Sequence, residues 1–327
     1  MAVPTADDWG SWLIDARTQG VVPLLYRLVD EHPTDLSDAQ RADLRQVFGA
    51  TMCRLVQLEH HAIDISERLR AAGIRSVVLK GGASAHLDYD EPTMREFSDV
   101  DLLVEPHHLD EAARVIEAAG WSQGYPLPAG HDRFTHAITF VCSGMELDLH
   151  QRIARRALGR LVQPVDLLDR SVEFTIAGRT VRALAPDDRL LHAAVHAIGK
   201  EPKWSTLSDI VVMMRATDVD PVSFVERIDA LGIRTLVDRA LIEAHERGSM
   251  ALPDRWEPAL AEPAQQHDRV LERAYASSNP RPIALEFAHL RALDGWRDRW
   301  RYTSGFFRGD GRGLGERVRY VASKLRR

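Results

Sequence analysis

Along residues 35–72, apolar side chains return every three or four positions: Leu44, Val47, Phe48, Met52, Leu55, Val56, Leu58, Ile63, Ile65 and Leu69. Polar residues fill the gaps. That repeat predicts a long helix with one buried stripe, capped at Asp35 or Ser37 and closed at Gly73. The period then changes. An apolar run over 74–79 predicts a strand, and the Gly81 and Gly82 turn opens a short helix reaching about Tyr89. Residues 91–97, with Pro92, read as a loop. Alternation over 99–104 predicts a second strand, and 108–119 an amphipathic helix closed by Gly120. Residues 134–142 and 145–150 predict an antiparallel pair turning at Ser143 and Gly144, and 172–184 a hairpin turning at Ala177 and Gly178. From Pro186 the helical period returns almost to the end, broken most clearly over 277–282.

The expected fold class is therefore α+β: a small mixed sheet with helices on one side, set between two helical parts. The expected domains are an N-terminal helical segment (1–72), the sheet core (73–184) and a helical domain with a basic tail (185–327).

Alternation places chemistry on this sheet. In 99–104, Val100, Leu102 and Val104 take one face, and Asp99 and Asp101 share the other. On the later strand Leu147 and Leu149 alternate with Glu146, Asp148 and His150. An Asp-x-Asp pair alone reads more plainly as the outward face of a half-exposed strand. With a third carboxylate on a later strand it predicts a site for Mg²⁺ (or Mn²⁺) carrying a nucleoside triphosphate, because hard cations take oxygen ligands. Asp99, Asp101 and Asp148 are the expected metal ligands and catalytic residues, with Asp148 also able to take a proton from an acceptor. Glu146 ranks second.

The turn before this strand suits phosphate. Gly81 and Gly82 let backbone approach a ligand, a following helix offers free N–H groups, and Ser84 can donate. Lys80 adds charge. Arg95 either contacts phosphate or braces its loop on a carboxylate. His192 and His196 share a helix face at zinc-ligand spacing, yet no third ligand is evident, and a buried polar contact is the plainer reading. His150 either orients Asp148, lines a cleft or is a buried strand histidine.

Composition narrows the setting. The chain has 327 residues and a net charge of −6, which argues against a nucleic-acid coat. Charge is uneven: residues 291–327 hold 11 Lys/Arg against 4 Asp/Glu. That end can meet RNA, an acidic partner or the acidic body of the chain itself; a plain solvated face is the preferred reading. Two cysteines, Cys53 and Cys142, without a CxxC, suit a reduced, cytoplasmic location. No apolar run reaches the ~18 residues of a membrane span, so no membrane association is expected.

Several of these residues together resemble a known family. Lys80-Gly81-Gly82, Tyr89, Arg95, Ser98-Asp99-Val100-Asp101-Leu102-Leu103-Val104 and Leu147-Asp148-Leu149-His150 are similar to the uncharacterised nucleotidyltransferases of the DNA polymerase β-like superfamily. Leu191, His192 and His196, then Trp204, Leu207, Asp209 and Ile210, extend the resemblance over about residues 70–240. One departure is that Ala83 follows the glycine pair where the wider superfamily has Gly-Ser closer to its Asp-x-Asp. The resemblance implies a nucleotidyltransferase core with an appended helical domain, and divalent-metal-dependent transfer of an NMP from an NTP (ATP) to a small-molecule, peptide or protein acceptor. It also implies that Lys203 or Lys200 reaches the triphosphate across a cleft, with Asp209 positioning that lysine or capping a helix. The alternative is a nucleotide-binding or toxin–antitoxin-type interaction protein on the same fold. RNA end modification has only the basic tail in its favour.

Overall fold

The computed structural model describes residues 8–31, 36–124, 134–199, 201–276, 282–293 and 295–308. Lys200, the break over 277–281 and the basic end over 309–327 lie outside the described residues.

The long predicted helix is α3, preceded by two short ones: α1 (Trp9–Gln19), α2 (Val22–Glu31) and α3 (Asp38–Ala71). Ser37 caps α3 through a capping box, its Oγ accepting from Gln40 N–H at 3.2 Å while Gln40 Oε1 accepts from Ser37 N–H at 2.9 Å. The N-terminal part of α3 packs on α1 and α2 through Leu44, Trp9 and Leu13, and Tyr26 stacks on Phe48 at 4.1 Å. Its C-terminal part, Leu58 to Leu69, lies on the sheet.

The sheet core continues with β1 (Ser76–Val78), α4 (Lys80–Leu87), β2 (Val100–Val104), α5 (Leu109–Ala118), β3 (Ser122–Gln123), β4 (Ala137–Cys142) and β5 (Met145–His150). After α6 (Pro164–Asp169) come β6 (Val172–Ile176) and β7 (Arg179–Ala183). One mixed sheet runs β3-β4-β5-β2-β1-β7-β6. The hairpins β4–β5 and β6–β7 turn where the sequence predicts. The pair β2–β5 is parallel, with Asp101 opposite Asp148.

Two expectations change here. The strand begins at Val100, so Asp99 sits in the preceding loop. The parallel pairing with β5 starts only at Val100 opposite Leu147, and Asp99 instead accepts from Ser98 Oγ at 3.1 Å. The sheet is also covered on both faces. Val100, Leu102, Val104, Leu147 and Leu149 pack toward α3 and α5. Val77, Leu79 and Leu103 pack on the other side with Leu167 and Leu168 of α6. That helix went unread because its six residues are too short to display a period.

The remaining helices are α7 (Pro186–Ala197), α8 (Trp204–Arg215), α9 (Pro221–Ala230), α10 (Arg234–Arg247), α11 (Glu257–Ala261), α12 (Arg269–Ala274), α13 (Pro282–Arg291) and α14 (Gly295–Arg308). Those from α7 to α13 share a separate core around Phe224, Ile210, Leu241 and the fully buried Trp256, whose indole N–H donates to Met214 O at 2.8 Å. No helix among the described residues is long and apolar enough to cross a membrane.

Candidate active site

Strand alternation decides which side of the sheet carries the chemistry. Leu102, Leu147 and Leu149 turn toward α3 and α5, so Asp101, Asp148 and His150 turn to the opposite face. One ligand atom from each of Asp101, Asp148 and His150 lies within 4.8 Å of the others. Asp101 is 4% exposed, and its Oδ1 accepts from Lys80 Nζ at 2.5 Å and from His150 Nε2 at 2.7 Å. Asp148 Oδ1 accepts from Thr139 Oγ1 at 2.5 Å across β4–β5.

The electrostatics follow from burial. Desolvation raises the Asp101 carboxyl, and Lys80 partly offsets it. Burial raises Asp99 too, and the charge of Asp101 adds to this. Burial would lower the Lys80 ammonium, but Asp101, Asp99 and Asp148 together hold it above its ordinary value. Burial and then Lys80 push His150 down to about 3, so its imidazole is neutral. Two carboxylates and a neutral imidazole around an ammonium form a site that already holds positive charge. That donor set fits a divalent cation. Asp99 is half-buried beside this trio without joining it, and Glu146 is exposed.

The turn is built differently from its sequence reading. Gly81 and Gly82 lie within α4, and the reversal falls on Lys80, whose φ is +50°. A left-handed lysine costs of order 1–3 kcal/mol; here it directs the side chain to Asp101. Gly81 is required because a Cβ there would lie 2.5 Å from Phe97 Cβ and 3.2 Å from Arg95 Nη1.

Arg95 takes the bracing role. Its Nε and Nη2 donate to the two oxygens of Asp209 at 2.6 and 2.7 Å, and Tyr89 OH adds a third bond at 3.0 Å. Asp209 thus holds Arg95 rather than Lys203 or a helix end. Beside it, Arg189 of α7 grips Asp88 at 2.7 Å, and the Asp88 N–H donates to Ser84 O at 2.9 Å. Both pairs tie the helical half to the loops around α4.

These residues surround a cleft of about 270 Å³. Lys80, Gly81, Ser84, Arg95, Asp99 and Asp101 line one side, and His192, His196, Lys203 and Asp209 the other. Gly82, Asp148, His150 and Glu146 are not in its wall. His192 is 3% exposed, its Nε2 has no hydrogen-bond partner among the described residues, and burial holds it well below its ordinary pKa. The His192 and His196 rings lie 6.3 Å apart, and no metal-holding group among the described residues includes them. Arg17 of α1 and Gly20, which closes that helix, also line the cleft. Nothing in the sequence marks them, since the contact joins elements almost 200 residues apart.

A mixed sheet that sets paired aspartates beside the Lys80 turn and the glycine-rich start of α4, facing a helical half, defines a nucleotidyl-transferring enzyme. The chain belongs to the uncharacterised nucleotidyltransferase family, whose model matches residues 5–248 and so takes in the N-terminal helices as well. A search of curated proteins finds no match. Among solved structures, the antibiotic-resistance factor ANT(2'')-Ia is similar at 16% identity, covering 61% of this chain and 99% of its own, with a TM-score of 0.40. An antigenic nucleotidyltransferase-like protein from Paracoccidioides brasiliensis is similar at 14% identity, covering 64% of this chain and 94% of its own, also with a TM-score of 0.40.

Proposed function

We propose that the protein transfers the NMP of an NTP, ATP in the first instance, to a small-molecule, peptide or protein acceptor with the help of Mg²⁺ or Mn²⁺. The observation that carries this is the in-register placement of Asp101 and Asp148 on adjacent parallel strands, with His150 and Lys80 around them. Asp101 and Asp148 would hold the cation, with Asp99 beside them. When bound, that cation polarises phosphate oxygens and stabilises the departing pyrophosphate. Asp148 takes the acceptor's proton as the acceptor attacks the α-phosphorus. Lys80 has two uses: it neutralises Asp101 in the free protein, and once displaced by a cation it can meet phosphate. Gly81 and Gly82 in the first turn of α4 and the Ser84 hydroxyl offer donors to the triphosphate.

Arg95 serves this reading indirectly, because its guanidinium is held by Asp209. RNA is not favoured as acceptor, since its only support is the basic end. The test incubates the protein with each labelled NTP, Mg²⁺ or Mn²⁺ and a cell extract. Label should pass to a discrete acceptor in the wild type and not in Asp101→Asn. Equal labelling by both proteins, or none with any NTP, refutes the proposal.

A further inference from the structure

The cleft wall is rich in positive charge, and most of it is neutralised by contact. Lys80 lies on Asp101, Arg95 on Asp209 and Arg189 on Asp88, each within hydrogen-bond distance. Two cations of the wall differ: Arg17, in the last turn of α1, and Lys203, immediately before α8. Both are exposed. Neither side chain makes a hydrogen bond or ion pair among the described residues. Both charges reach Glu96, which is occupied in accepting the Val22 N–H at 3.3 Å.

The end of α1 is fixed against the start of α8. Gly20 closes α1 at φ +67°, and a Cβ there would come within 3.2 Å of both Cβ and Oγ of Ser205. Gln19 Oε1 accepts the Trp204 N–H at 3.1 Å. Arg17 therefore enters the same cleft as Lys203 from an element docked against Lys203's own helix. The family match begins before α1, so this helix belongs to the shared body of the fold.

We propose that Arg17 joins Lys203, the lysine that the family resemblance already directs to the triphosphate, in binding the β- and γ-phosphates of the nucleotide, which makes α1 a wall of the nucleotide site. This rests on the nucleotidyl-transfer reading above. A triphosphate brings more negative charge than a cleft of paired ions can absorb, and cations without a hydrogen-bonded carboxylate are the groups able to take it. Guanidinium suits the task because its fork matches two phosphate oxygens. As the acceptor oxygen or nitrogen bonds to the α-phosphorus, its proton passes to Asp148. The bond from that phosphorus to the bridging oxygen breaks, and its electron pair leaves with pyrophosphate. Arg17 and Lys203 stabilise the charge that gathers there.

The test is calorimetric titration of the full-length protein in Mg²⁺ with α,β-methylene-ATP and, separately, with AMP, which lacks both phosphates. Arg17→Ala and Lys203→Ala should each bind the analogue about tenfold more weakly, the size of one charge-assisted bond. AMP affinity should not change, and Arg17→Lys should recover part of the loss. Both residues are exposed, so melting curves should match the wild type. An analogue affinity of Arg17→Ala within about twofold of wild type overturns the inference, whatever Lys203→Ala shows, and leaves the nucleotidyl-transfer reading standing. A wild type that binds no analogue overturns both.

Discussion

Asp209→Asn tests the joint between the helical half and the catalytic loops. The change keeps side-chain size and one acceptor oxygen, and it removes the charge facing Arg95. Both partners are nearly dry, with side chains 9% and 7% exposed, so water cannot replace the lost interaction. Two charge-assisted bonds and the Tyr89 bond converge on this carboxylate. Leaving one member of a buried pair without its partner costs about 3–5 kcal/mol, and the retained oxygen puts Asn near the low end, about 3 kcal/mol. At about 2–4 °C per kcal/mol that lowers the melting temperature by roughly 6–12 °C. Arg95 and Phe97 press directly on Gly81, so loosening Arg95 should also reduce kcat. Urea denaturation followed by tryptophan fluorescence measures the stability term. The double variant Arg95→Met with Asp209→Leu should lose less than the sum of its single variants, with a coupling of at least about 2 kcal/mol. A cost below about 1 kcal/mol for Asp209→Asn, combined with additive singles, would refute the argument.

Asp101→Asn should lower kcat/KM at least about 100-fold while leaving a cooperative melt, because Asn still accepts from His150 and Lys80. Gly81→Ala should destabilise by about 1–3 kcal/mol in urea titrations, since its Cβ meets Phe97 at 2.5 Å and the neighbour is a Cβ rather than a flexible tip. His289 is held at about 4, by burial and then by Arg160. Unfolding returns it to about 6.5, so between those values the unfolded chain binds the extra proton and stability falls as pH falls. His150 and His192 act in the same sense, and the raised Asp99 and Asp101 oppose them, so the clean measurement is a difference. His289→Gln should flatten the stability–pH slope between pH 6.5 and 4 by up to about 1.4 kcal/mol per pH unit, and an unchanged slope would contradict the assignment.

The parts of this architecture that repeat locally were legible. The stripe of α3, the cap at Ser37, the turn at Ser143 and Gly144, and the Pro186 start of α7 each follow from a few adjacent residues. So did the face shared by Asp101 and Asp148, because a strand's alternation is fixed by its backbone. What covers a face is not local. The α6 side of the sheet, the docking of α1 beside Lys203 and the grip of Asp209 on Arg95 depend on residues up to 185 apart in the chain. The Lys80 turn was misplaced for a different reason. Propensity assigns a left-handed position to glycine, and here the pull of Asp101 holds a lysine in it.

The strand order carries a kinetic consequence. β5 is inserted between β4 and β2, and its partner Asp101 is 47 positions earlier in the chain than Asp148. The donors of the trio therefore meet only after a long loop has closed and a parallel register has locked, a step slower than hairpin formation. Before that step β1 and β2 can pair as an antiparallel unit, and the β4–β5 hairpin can form independently. Neither piece contains a complete cation site. A ligand that needs Asp101 and Asp148 together thus has nothing to bind in the half-assembled chain, and it would act on the unfolding rate rather than on the speed of folding.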